Sequence, residues 1–247
     1  MKLSVYFTPL GVKPQDIQSK PVLVIDVLRA TTTIVAALSN GAKAVLPAES
    51  PDEALRIAQN LERDAVILCG ERNMEKIEGF PLGNSPLEMT EDVVGGKTVV
   101  MATTNGTPAL VASDPGDPVM VGAITNFSAA AELAQTAFQE HGEISILCSG
   151  RERMFAMEDA YTAGRFAQAI IPTGERRGME LNDAAIAALE FVRRYGDKWK
   201  RAISASAAAR SLKAAGFRDD LVAATEVDTY SVVPLYQEKL VTLPNGG

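Results

Sequence analysis

Strand-length apolar runs alternate with helix-period segments through the first part of the chain, and that alternation restricts the fold more than any other feature. Runs at 3–7, 22–25, 44–46, 65–68, 98–102, 118–121 and 144–147 read as seven strands. The segments 32–38, 51–61, 107–112 and 127–140 between them read as helices, with Ser50 and Asn126 as caps and Pro51 at a first helical position. Strand then helix, repeated, buries both faces of the strands by laying them in parallel with helices above and below. The expected fold is therefore α/β, a three-layer α/β/α arrangement around a mainly parallel sheet. Beyond residue 156 the pattern turns helical, at 157–170, 181–194, 198–214 and 218–225, with Gly178, Gly196 and Gly216 as breaks. This helix-rich C-terminal third is expected to cover the sheet. Segments 231–235 and 239–243 around Gln237-Glu238 read as a closing strand pair, followed by a frayed Pro-Asn-Gly-Gly tail.

With 247 residues, 47% hydrophobic and 22% charged, the chain can bury a full core, read here as one domain over 1–247. The loop-rich stretch 172–180, with Pro172, Gly174 and Gly178, is where a boundary would fall if there were two. A formal net charge of −7 with no basic block argues against nucleic acid or an anionic membrane as partner. The start lacks the apolar run and cleavage site of an export signal, and no stretch approaches the roughly 18 uninterrupted apolar residues of a membrane span. Cys69 and Cys148 lie far apart and each ends an apolar run, which suits the reduced thiols of a cytoplasmic protein. The single histidine, His141, sits at a helix end and leaves no basis for a His-based zinc cluster or a Ser-His-Asp triad.

In open α/β sheets ligands bind beyond the carboxyl ends of the strands, so polar residues just after the apolar runs are the first candidates. Val24-Ile25-Asp26-Val27-Leu28-Arg29-Ala30-Thr31-Thr32-Thr33 delivers Asp26 to a strand tip and starts a helix within a few residues. A carboxylate there suits a hard cation, while Arg29 and the helix N-terminus suit an oxyanion; a plain loop aspartate with Thr31 as cap is the competing reading. Cys69-Gly70-Glu71-Arg72 offers a second carboxylate and a planar guanidinium fork, or simply a surface ion pair. In the loop that follows, Asn84-Ser85 can cap a short helix or donate to a ligand. Thr103-Thr104-Asn105-Gly106-Thr107 places hydroxyls, an amide and backbone N–H groups at a third strand tip, a set that binds an oxyanion or makes a turn with a Thr cap. After the next strand, Cys148-Ser149-Gly150-Arg151 invites comparison with cysteine phosphatases, but Met154 stands where their loop needs its arginine. Glu158-Asp159 opens a helix, where acids are favoured by the dipole as well as by metal.

Taken together these stretches resemble the 2-phosphosulfolactate phosphatase family. The resemblance rests on the Asp26 to Thr33 run, Gly70-Glu71-Arg72, Ile77-Glu78-Gly79-Phe80, Leu82-Gly83-Asn84-Ser85-Pro86, the Thr103 to Thr107 turn and Glu158-Asp159, in that order and approximate spacing. It is strong over 22–170 and looser around Asp228 to Pro234. What it implies is a layered α/β/α phosphomonoesterase that uses Mg²⁺ to release phosphate and 3-sulfolactate from 2-phospho-3-sulfolactate, a step towards coenzyme M. The segment Arg151-Glu152-Arg153-Met154 is bulkier and more charged than the Gly-rich run expected there, which would narrow or recharge the pocket.

On that footing Mg²⁺ is expected among Asp26, Glu71, Glu158 and Asp159, with Asp26, Arg29 and Glu71 as the catalytic set. Arg29 and Arg72 would take the phosphate, carboxylate or sulfonate. Thr31, Asn84, Ser85, Thr103, Thr104, Asn105, Gly106, Cys148, Ser149 and Gly150 would line the substrate. An aspartyl-phosphate route through Asp26 fits less well, because Leu28 stands where dehalogenase-type phosphatases carry a second acid. The alternatives are the same chemistry on another small phospho-acid and a non-catalytic protein that binds a phosphorylated metabolite. The Ala-rich helical third offers a face for a homodimer.

Overall fold

The protein is described here from a computed structural model covering residues 1–172 and 178–244. In chain order its strands are β1 (Lys2–Tyr6), β2 (Val22–Ile25), β3 (Ala44–Pro47), β4 (Val66–Arg72), β5 (Glu75–Lys76), β6 (Thr98–Ala102), β7 (Val119–Gly122), β8 (Glu143–Cys148), β9 (Glu180–Leu181), β10 (Leu235–Gln237) and β11 (Leu240–Thr242). The helices of the first half are α1 (Pro14–Ile17), α2 (Ala30–Ser39), α3 (Pro51–Gln59), α4 (Glu91–Val94), α5 (Gly106–Ser113) and α6 (Phe127–His141). Those of the second are α7 (Met157–Ile170), α8 (Asp183–Tyr195), α9 (Trp199–Ser204), α10 (Ala207–Ala214) and α11 (Arg218–Ala223).

The strands form one sheet in the order β5-β4-β6-β3-β11-β10-β7-β2-β8-β1-β9. It consists of two parallel blocks, β4-β6-β3 and β7-β2-β8-β1-β9, joined by the β10–β11 hairpin, which runs antiparallel to β7 on one side and to β3 on the other. Strand periodicity explains how the layers form. In β2, Leu23 and Ile25 pack into a core with α6, α7 and α9, while Val22 and Val24 pack into a second core with α2 and α5. Each such buried aliphatic side chain stabilises the fold by roughly 1.5–3 kcal/mol. The mainly parallel α/β reading of the sequence holds, and all seven apolar runs are strands.

Several boundaries differ from the sequence reading. The run 198–214 is two helices, because Ser206 leaves the helical conformation and its Oγ accepts from the N–H of Ala209 at 3.1 Å, capping α10. Ser50 caps α3 in the same way, through the N–H of Glu53 at 3.1 Å. Asn126 does not cap α6: its Oδ1 accepts from Ala123 and its amide donates to the carbonyls of Val121 and Val232, closing the turn before the helix. The closing hairpin is shorter than expected and turns at Glu238-Lys239, both at positive φ, one residue later than Gln237-Glu238. The two-residue strands β5 and β9 are too short to carry a period. Gly174 and the final Asn-Gly-Gly of the tail lie outside the described residues. No described helix is long and apolar enough to cross a membrane.

Candidate active site

Tips of both parallel blocks meet at one narrow cavity of about 40 Å³. Its wall takes Asp26, Leu28 and Arg29 from the β2–α2 loop, Glu71 from the end of β4, Thr103 and Asn105 from the β6–α5 turn, and Gly150 and Arg151 from the loop after β8. Asn84 and Met74 complete one side, Glu158 and Asp159 enter from the first turn of α7, and Ala208 and Leu212 of α10 close the other side. The carboxyl-end rule for α/β sheets thus selects the right edge of each strand.

Local hydrogen bonding fixes these side chains. The Thr31 hydroxyl donates to the carbonyl of Asp26 at 2.9 Å and accepts from its N–H at 3.0 Å, while the Asp26 carboxylate accepts from the N–H of Ala30 at 3.1 Å. Asp26 is thereby presented by the start of α2. Gly106 lets α5 come close, since a Cβ there would press on Ala30 and the Asp26 carboxylate. Asp159 ties two strand tips together: Oδ1 accepts from the N–H of Val27 at 2.9 Å, and Oδ2 from the N–H of Gly150 at 3.1 Å and the Ser149 hydroxyl at 3.0 Å. Glu71 does the same across the other block, accepting from the N–H of Thr104 at 2.8 Å and that of Met74 at 2.9 Å.

The electrostatics of this cluster are unfavourable for anions as the chain stands. Asp26, Glu71, Glu158 and Asp159 are all buried around one cavity. Burial, followed by the charges of Glu71 and Glu158, outweighs the Ser149 hydroxyl and Ala30 N–H and pushes the Asp26 carboxyl up to about 7. Asp159 is raised well above the usual carboxylate range by burial and by Asp26 and Glu158, and burial raises Glu158 as well. Two cations stand against these acids in the cavity wall among the described residues, Arg29 and Arg151.

Arg29 is held from behind. Its Nη1 lies 2.5 Å from Asp220 Oδ2, Ser85 Oγ donates to Asp220 Oδ1 at 2.6 Å, and the Phe217 ring stacks 4.4 Å from the guanidinium carbon. Sequence reasoning missed Phe217 and Asp220, since a six-residue helix far along the chain gives no local signal that it docks on the β2–α2 loop. Ser85, expected at the substrate, serves this anchor instead.

Arg72 points elsewhere. It donates to the carbonyl of Glu71 at 2.9 Å and reaches that of Glu49 at 3.5 Å, because β4 runs on through Arg72 and its alternation turns Glu71 inward and Arg72 outward. Thr31 and Ser149 spend their hydroxyls on neighbouring groups, and Thr104 contributes its N–H to Glu71 from outside the narrow cavity. Cys148 is fully buried in β8 beside Ile25, and its thiol is raised well above the ordinary range by burial and by Asp159, Glu158 and Asp26. It is a core residue beside the site.

The donor set suits a hard divalent cation. All the candidate ligands are oxygens, neighbouring acids add to burial in raising the proton affinity of Asp26 and Asp159, and Asn84 Oδ1 is buried without a hydrogen-bond partner on the cavity wall. Among the described residues no three acids, histidines or cysteines stand as a ready-made cage. Asp26, presented by the start of α2, and Glu158, in the first turn of α7, both line the cavity wall and can offer carboxylate oxygens to an ion there.

Comparison with known proteins gives consistent matches along nearly the whole chain. Residues 6–239 match the family described as 2-phosphosulpholactate phosphatase. A probable 2-phosphosulfolactate phosphatase of Caldanaerobacter subterraneus subsp. tengcongensis is 34% identical over 241 residues, 98% of this chain and 98% of that protein. Proteins of the same description from Symbiobacterium thermophilum and Clostridium novyi are 35% and 34% identical, over 93% and 98% of this chain and 96% and 100% of theirs.

Proposed function

The chain belongs to the 2-phosphosulfolactate phosphatase family, and from that premise we propose that it is a Mg²⁺-dependent phosphoric monoester hydrolase converting 2-phospho-3-sulfolactate to 3-sulfolactate and phosphate. The observation that carries the mechanism is the convergence of four buried carboxylates and the anchored Arg29 on one narrow cavity at the strand tips.

A phosphate monoester carries close to two negative charges near neutral pH, and its hydrolysis depends mainly on positioning and counter-charge. Asp26 and Glu158 would hold the ion, with Asn84 Oδ1 beside them. When bound, Mg²⁺ supplies charge to the phosphoryl oxygens and makes its water more acidic. Arg29 gives the phosphoryl group a fixed positive partner, because Asp220 and Phe217 hold its guanidinium in place at no further ordering cost. Asp159 and Glu71 position the strand tips by accepting from their N–H groups, so that Asp26, Thr103 and Asn105 line the same cavity. Leu212 and Ala208 of α10 narrow the cavity and limit the water that reaches it. Reduced, fully buried cysteines and the absence of a membrane-spanning helix among the described residues support a cytoplasmic enzyme acting on a small anionic substrate. The homodimer expected from the Ala-rich third remains part of this proposal.

The test is phosphate release from 2-phosphosulfolactate by the wild-type protein and by Asp26→Asn, Glu158→Gln and Arg72→Ala. Loss on the order of 100-fold or more is expected for the first two variants and little change for the third. Asp26→Asn with activity near wild type would overturn the assignment.

A further inference from the structure

The narrow cavity is too small for a whole phospho-acid. At about 40 Å³ it has room for a few water-sized groups, whereas the cleft that adjoins it measures about 440 Å³. The two spaces share four wall residues, Glu71, Met74, Asn105 and Arg151. A substrate with its phosphoryl group inside has room to extend past Arg151 into the outer cleft. Arg151 is the only cation lining that cleft among the described residues, and its acids, Glu71 and Glu152, would otherwise repel an anionic arm.

The Arg151 side chain is held at this junction by one hydroxyl and by a loose, largely exposed ion pair. Its Nη1 donates to Ser211 Oγ at 3.0 Å, its Nε lies 3.6 Å from a Glu152 carboxylate that is 72% exposed, and its own side chain is 31% exposed. With five donors on the guanidinium, several stay free for a ligand. The backbone beneath is fixed. Arg151 and Met154 bond to each other in both directions, at 2.9 and 2.8 Å, around Glu152 and Arg153, whose positive φ values close a tight turn. The N–H of Glu152 then donates to Asn105 Oδ1 at 2.8 Å, fastening the loop to the opposite wall of the site.

We propose that Arg151 is the specificity-determining residue that binds the acidic arm reaching farthest from phosphorus, the sulfonate of 2-phospho-3-sulfolactate. The inference rests on the phosphatase reading above and takes over the role that sequence spacing gave to Arg72. The site is then selective for phospho-acids with an additional strong acid, and substrates lacking it lose this contact.

The experiment compares 2-phosphosulfolactate with 2-phospholactate, which keeps the phosphate and carboxylate but has a methyl hydrogen in place of the sulfonate. Arg151→Gln is expected to lower kcat/KM for 2-phosphosulfolactate at least about tenfold more than for 2-phospholactate, with the difference between the two substrates carried by KM. Arg151→Lys should recover part of the preference, since it keeps the charge and loses the fork. Equal losses on both substrates, or none on either, would overturn the proposal and point to a purely structural Arg151. Calorimetric titration with 3-sulfolactate and with lactate reads the same preference without turnover. A wild-type protein that releases no phosphate but prefers sulfolactate through Arg151 would sink the phosphatase reading alone; one whose binding ignores Arg151→Gln would sink this inference.

Discussion

Asp220→Asn is the perturbation whose size the structure sets most directly. Asp220 and Arg29 have side chains 5% and 3% exposed and make their closest contact at 2.5 Å. Asparagine keeps an oxygen for the Ser85 hydroxyl but turns an N–H₂ donor toward the Arg29 guanidinium, so a buried cation is left facing a donor. Removing one partner of a buried pair costs about 3–5 kcal/mol, and the Phe217 stack, present in wild type and variant alike, offsets none of it. A loss of about 3 kcal/mol is therefore expected, which in urea means a midpoint lower by on the order of 1 M. The single tryptophan, buried Trp199, reports the transition by fluorescence, and the exposed neighbour Asp219→Asn serves as control. Inorganic phosphate should restore part of the loss, because it offers Arg29 another anion. A variant that unfolds with the control, losing less than about 1 kcal/mol, would refute the claim that Asp220 anchors Arg29.

Other outcomes follow from the same structure. Cys69 and Cys148 are fully buried with thiols raised chiefly by burial, so a disulfide reagent should label neither in the native protein and both after unfolding; Cys148→Ala should keep phosphate release, and its loss would reopen a thiol mechanism. Tyr236, in the hairpin that joins the two sheet blocks, has its phenol pushed up to about 12, first by burial and then by Asp114. Its folded value lies above the unfolded one of about 10, so its contribution to stability is fully present below pH 10 and is lost as pH rises towards 12. Tyr236→Phe should flatten that alkaline loss in thermal melts, and an unchanged slope would contradict the reading.

How much of this was legible in the sequence differs between sheet and site. The seven strands were readable because a period of two, bounded by glycine, proline and charge, is written locally; so were Asp26, Glu71 and Thr103, which sit where a strand stops. The error over Arg72 was one of register. Extending β4 by four residues makes its alternation send Glu71 in and Arg72 out, and the polar composition of Gly70-Glu71-Arg72 concealed that extension. Hydroxyls such as Thr31 and Ser149 were over-assigned because short polar side chains satisfy nearby backbone and carboxylates as readily as they bind ligands. Leu212, Phe217 and Asp220 were invisible for another reason: they reach the site through the packing of α10 and α11 against the loop after β2, a contact between segments nearly two hundred residues apart.

The central claim is metal-dependent phosphatase chemistry at this cavity, and phosphate release from 2-phosphosulfolactate tests it most directly, measured with Mg²⁺, after EDTA, and again after Mg²⁺ is restored. Release that is fast with Mg²⁺, abolished by EDTA and recovered on re-addition is the predicted result. No release under any of the three conditions, together with tight binding of the same compound, would contradict it and leave a protein that binds the phospho-acid without hydrolysing it.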